Sequence, residues 1–118
     1  MIYFVGIHHK KGLPALSSTT RSGKKIDSVI DIIRIESFKI NLFSTDYIPN
    51  IKTGEYKCEI EKFLQAVPDI DNIIVLLGND VNKHFPHRSY NNAKIIKFRH
   101  PAFSGSNYSK DLAKAILT

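Results

Sequence analysis

Apolar residues fall along this chain in two alternating rhythms. Ile2 to Ile7 is β-branched and aromatic, apolar on both faces and punctuated by Gly6, the pattern of a strand buried on both sides. From Ser22 to Arg34 the spacing lengthens, with Ile26, Val29, Ile30 and Ile33 at i, i+3, i+4 and i+7, which predicts a helix with one core-facing stripe. Phe38 to Phe43 predicts a second strand. Ser44 to Lys57 holds Pro49 and Gly54 as breakers and no apolar period, so it reads as a long loop. Cys58 to Val67 predicts a helix ended by Pro68, Asn72 to Leu77 a third buried strand, and Asp80 to Phe85 a short helix. Lys94 to Phe98 predicts a fourth strand and Ser109 to Leu117 a final helix. Strands alternating with helices imply right-handed crossovers, and so an α/β fold: a three-layer αβα sandwich around a four-stranded, mostly parallel sheet.

Composition narrows this picture. At 118 residues and 42% hydrophobic, the chain is expected to bury one core and form a single domain over residues 1–118. Lys and Arg outnumber Asp and Glu by 17 to 11, a net charge of +6 that favours polyanionic partners through counterion release. Cys58 is the lone cysteine, which excludes an intramolecular disulfide and fits a reducing compartment. Met1 to Ile7 has no basic leader region, and no apolar run approaches the ~20 residues of a membrane helix, so a soluble, cytoplasmic protein is expected.

Parallel sheets bind ligands outside the carboxyl ends of their strands. Gly6 to Arg21, Asn41 to Tyr47, Gly78 to Asn79 and Arg99 to Ser106 converge there, a rim carrying His8, His9, Lys10, Lys11, Arg21, Asn41, Asp46, Arg99 and His100. The adjacent histidines of HHKK point to opposite faces of a strand end, and no ligand partner follows at helical spacing, so a metal is disfavoured. The glycines match neither a dinucleotide fingerprint nor a phosphate loop. SSTT, residues 17–20, and SGSNYS, residues 104–109, are either loop-forming hydroxyls or phosphate contacts.

Over almost its whole length, and in order, the chain resembles the uracil-DNA glycosylase superfamily. VGIHHKKG stands where that family has a Gly-x-Asn/Asp/Ala-Pro motif, TRSGKKID where members enter the first helix, KINLF where a strand bears Asn, VLLGNDV for the third strand, and FRHPAFSG where members carry His-Pro-Ser. The resemblance implies hydrolysis of the N-glycosidic bond of uracil or another damaged or modified base, extruded from DNA. It implies that His100 hydrogen-bonds the departing base, that Asn41 reads its Watson–Crick edge, and that His8 occupies the water-positioning place. Gly6, Ile7, Leu16 and Phe43 would complete the base pocket. Lys10, Lys11, Arg21, Ser104 and Ser106 would contact single- or double-stranded DNA, with Phe103 as a wedge into the base stack.

Two departures bear on catalysis. His8 and His9 replace the usual Asp or Asn and Pro, and Ala15 and Leu16 stand where several members stack an aromatic ring, which Phe43 or Tyr47 would have to supply. These departures keep open a lapsed member that binds nucleic acid or a base without cleaving it. A small doubly wound domain holding a nucleotide-like ligand is a third reading. The lone cysteine excludes the four-cysteine iron–sulfur cluster of some branches, and no cofactor is implied.

Overall fold

The structure, a computed structural model, describes residues 1–7, 13–43, 55–103 and 105–118, with backbone alone at 55–59 and 103. In chain order it runs β1 (Ile2–Gly6), α1 (Arg21–Ile33), β2 (Ser37–Asn41), α2 (Glu55–Ala66), β3 (Ile73–Leu77), α3 (Asn79–His84), β4 (Lys94–Phe98) and α4 (Tyr108–Leu117). The four strands form one sheet in the order β2-β1-β3-β4. Every neighbouring pair is parallel, with Gly6 opposite Asn41, Ile2 opposite Ile73, and Leu77 opposite Phe98. The sequence asked for a mostly parallel sheet; it is parallel throughout.

Strand parity divides the core in two. Ile2, Phe4, Val75 and Leu77 face α1 and α4, meeting Ile26, Val29, Ile33, Tyr108, Leu112 and Ile116. Val5, Ile74 and Leu76 face the other way, against Ile60 and Phe63 of α2 and Val81 of α3. Helices therefore cover both faces, compatible with a three-layer sandwich. Burying each of these large apolar side chains contributes about 1.5–3 kcal/mol relative to exposure, which is why both strand faces read as apolar in the sequence.

Two boundaries differ by more than one residue from those the pattern predicts. The helix expected from Cys58 starts at Glu55, three residues into the expected loop of Ser44–Lys57, because a first helical turn needs good helix formers but no apolar stripe. Residues 44–54 of that loop lie outside the described residues. The strand expected to reach Phe43 ends at Asn41, although Leu42 and Phe43 still donate backbone hydrogen bonds to Gly6 and Ile7 at 2.8 and 2.9 Å.

Local chemistry fixes the entry to α1. The Thr20 hydroxyl accepts from the Gly23 amide at 3.0 Å and donates to the Ser17 carbonyl at 2.7 Å. A β-carbon at position 23 would lie 1.8 Å from that carbonyl oxygen, so only glycine lets the 16–17 loop cross the first helical turn. At the opposite rim, the Asp69 carboxylate accepts the backbone amides of Asn91, Asn92 and Ala93 at 2.9 to 3.1 Å, steering the chain into β4. Those bonds hold its carboxyl below the usual aspartate value. Among the described residues no helix is long and apolar enough to cross a membrane.

Candidate functional site

The strand order reverses between β1 and β3: the chain leaves β1 for β2 on one side and returns to β3 on the other. At such a point the crossovers diverge and open a crevice beyond the strand ends. Both inner strands end there in glycine, Gly6 on β1 and Gly78 just after β3. Two adjoining cavities of about 430 and 520 Å³ occupy the crevice and share Ile7 and His100 in their walls.

The first cavity lies on the α1 side. Asn41, opposite Gly6 in the register, and His100, two residues beyond Phe98 of β4, both line it. Gly6 makes room for the amide: a β-carbon there would come within 2.7 Å of Asn41 Oδ1. Gly78 does the same for the imidazole, with a φ of +100° and a β-carbon site only 3.2 Å from His100 Cβ. Glycine at the ends of the two inner strands thus clears the ground between Asn41, at the end of β2, and His100, just beyond β4.

Asn41 Nδ2 is buried, and it finds no hydrogen-bond partner among the described residues. An orphaned buried donor costs about 1–3 kcal/mol, and among the described residues Asn82 Oδ1 is in the same state. On the other side, His100 Nδ1 accepts the Ala102 amide at 3.0 Å. That bond assigns the proton of the neutral ring to Nε2 and makes Nε2 a donor. Burial pushes the His100 pKa below its usual value, against the charge of Asp80, which pulls the other way. A ring whose pKa burial lowers and an amide nitrogen without a partner among the described residues therefore line the same cavity.

A ring that resists protonation in the fold gives a pH dependence of known sign. Below the ordinary histidine value of 6.5, the unfolded chain takes up a proton at this residue before the folded chain does. Stability tied to His100 is then present above that value and lost as the pH falls through it. Urea unfolding from about pH 7.5 to about pH 5 is expected to show a steeper loss for the wild type than for His100→Gln. Parallel losses would show that the ring titrates as a solvated one.

The remaining wall is the 13–22 segment, with Leu13, Leu16, Thr20 and Arg21 lining the cavity. Leu16 holds a φ of +47°, a left-handed conformation costing about 1–3 kcal/mol for a bulky residue. Lys39 compensates: its ammonium donates to the Leu16 carbonyl at 2.9 Å and pairs with Asp27 of α1. Burial pushes the Asp27 carboxyl up, but hydrogen bonds from Lys39 and Ser18 and the lysine charge leave it below its usual value. The second cavity adds Asn79, Asp80, Val81 and Arg99, whose guanidinium pairs with Asp111 at 2.9 Å and lies 4.7 Å from the Phe98 ring centre.

No family model, curated protein or solved structure matches the chain.

Among the residues singled out from sequence, His100, Asn41, Gly6, Ile7, Leu16 and Arg21 meet in the first cavity. Phe43 does not. It is fully buried in the second core with its ring 6.0 Å from that of His84, because the chain continues alongside β1 past Asn41 and carries the ring into that core. Ser106 is exposed, in the turn ahead of α4, and lines neither cavity. Phe103 belongs to a single 3₁₀ turn, Pro101–Phe103, and its side chain is outside the described residues, as are His8, His9, Lys10, Lys11, Asp46, Tyr47 and Ser104. The hydroxyls of Ser17, Thr19 and Thr20 hydrogen-bond within their own loop. Sequence reasoning passed over Lys39, Tyr108 and Asp80. A lysine at an inward strand position, two residues before Asn41, was the one available signal for the first.

Proposed function

We propose that this protein is a monofunctional DNA glycosylase of the uracil-DNA glycosylase kind, excising uracil or a similarly shaped modified base. The observation that carries the reading is the buried Nδ2 of Asn41, without a partner among the described residues, in the same cavity as the His100 ring whose pKa burial lowers. A pyrimidine with two carbonyls flanking an imide N–H meets those groups with complementary chemistry. The Asn41 amide donates to a carbonyl and accepts the imide proton, and His100 Nε2–H donates to the other carbonyl. Breaking the bond from C1′ to the base nitrogen sends its electron pair onto the base, so negative charge grows on the carbonyl that His100 faces. Water then bonds to C1′, and its proton finally resides on the released base.

The charge of the chain and the exposed Arg21 at the cavity rim support DNA as the carrier of that base. Duplex affinity is expected to fall linearly on a log–log plot against salt, and Arg21→Ala to lower the slope by about 0.9 if it holds one phosphate. An unchanged slope would place Arg21 off the DNA track. The direct test of function is abasic-site formation on oligonucleotides carrying uracil and a panel of modified bases.

One observation favours a second reading, a module that binds a base or nucleic acid without cleaving it. Among the described residues no carboxylate lines the cavity of Asn41; Asp80 belongs to the adjoining one. Retained DNA affinity with no abasic product would decide for that module.

A further inference from the structure

The backbone around His100 is gripped at two peptide units, Arg99–His100 and Pro101–Ala102. Tyr108 Oη donates to the carbonyl of Arg99, the residue before, at 2.8 Å, and Lys25 Nζ donates to the carbonyl of Pro101, the residue after, also at 2.8 Å. Both donors are themselves fixed. Burial holds the Tyr108 phenol well above its ordinary pKa, so it keeps the proton it donates, and the Lys25 ammonium lies 5.7 Å from the centre of that ring. The Ser109 hydroxyl donates to the Lys25 carbonyl at 3.1 Å and ties α4 to α1 beside the grip.

The consequence reaches the imidazole through one bond. His100 Nδ1 is engaged by the N–H of Ala102, which belongs to the same peptide unit as the Pro101 carbonyl that Lys25 holds, while Tyr108 holds the Arg99–His100 peptide from which the ring springs. Rotation of the Pro101–Ala102 peptide would turn the N–H away from Nδ1, and rotation of the Arg99–His100 peptide would move the ring away from the N–H; either would leave the two neutral tautomers free to mix. We propose that Lys25 and Tyr108 are positioning residues for His100, their hydrogen bonds to the Arg99 and Pro101 carbonyls keeping the Ala102 amide on Nδ1 and the ring proton on Nε2. The catalytic benefit rests on the base-excision reading; the ring geometry does not. Lys25 thereby leaves the set of cations available to DNA phosphates.

The experiment measures the His100 tautomer by ¹⁵N NMR of the neutral ring in the wild type, Lys25→Met, Lys25→Arg and Tyr108→Phe. The wild type is expected to carry its proton on Nε2 alone. Lys25→Met and Tyr108→Phe should show mixed tautomers, and Lys25→Arg should restore the single one. Tyr108→Phe removes one oxygen and no charge, so it carries the test even where Lys25→Met fails to fold. Single-turnover uracil release should fall by about 10–10²-fold in the two disrupting variants, the scale of a small misplacement of a catalytic group, with DNA affinity unchanged. Folded Lys25→Met and Tyr108→Phe proteins that keep the wild-type tautomer would overturn the proposal and leave the two bonds a purely structural role. A wild type that releases no base would remove the functional reading, while the tautomer measurement would still decide the positioning.

Discussion

His100→Ala is expected to slow single-turnover release of uracil by roughly 10²–10³-fold, the cost typical of losing one preorganised donor to a developing anion. The loss should appear equally in kcat and kcat/KM, because the donor meets its full partner only when charge has moved onto the base. DNA affinity should scarcely change, since backbone contacts dominate it. The ring is suited to this task because it stays neutral: burial opposes the imidazolium, and the Ala102 amide occupies the nitrogen that would have to take the second proton. Neutrality leaves the ring a donor with a fixed tautomer over the whole range above its lowered pKa. Uracil release at the wild-type rate from a folded His100→Ala protein would remove His100 from the chemistry.

The sequence made the scaffold legible because its signals are local and redundant. Ile2–Gly6 and Ile73–Leu77 are short apolar runs that face helices on both sides, and Lys94–Phe98 keeps three apolar positions between its two lysines and after them. His100 and Asn41 were legible for a different reason: both lie at strand ends, so the topology alone brings them to one rim. What pattern could not supply was the set of long-range ties that shape the cavity between them. Lys39 reads as a solvated strand residue and Lys25 as one face of a helix, yet each ammonium closes on a backbone carbonyl, 23 and 76 residues away in sequence. Composition counted both among the charges available to nucleic acid, and the fold uses both to hold loops. Phe43 shows the converse failure. An aromatic residue near the rim looks available for stacking, but the chain continues alongside β1 past Asn41 and carries that ring into the core. Leu16, at a φ of +47°, gave no signal, because nothing in a leucine announces a left-handed backbone.

Asn41→Leu is expected to stabilise the free protein and to abolish its recognition of the base. The Nδ2 group is buried without a partner among the described residues, a state that costs about 1–3 kcal/mol, and leucine fills similar space with no donor to satisfy. Urea unfolding without ligand should therefore shift to a higher midpoint with an unchanged slope. Function moves the opposite way. A uracil entering the variant cavity would leave a carbonyl and an imide N–H unpaired, each at a cost of about 1–3 kcal/mol, so kcat/KM for its release should fall by roughly 10²–10³-fold. Binding couples the two effects. Free uracil should raise the unfolding midpoint of the wild type, since a ligand that binds only the folded state adds its binding free energy to stability, and should leave Asn41→Leu unmoved. A variant that is destabilised, or one that uracil still protects, would show that the amide serves the fold and not the base. Gain in the empty protein together with loss in the occupied one is the pattern of a polar group kept in a cavity wall for a partner that comes and goes.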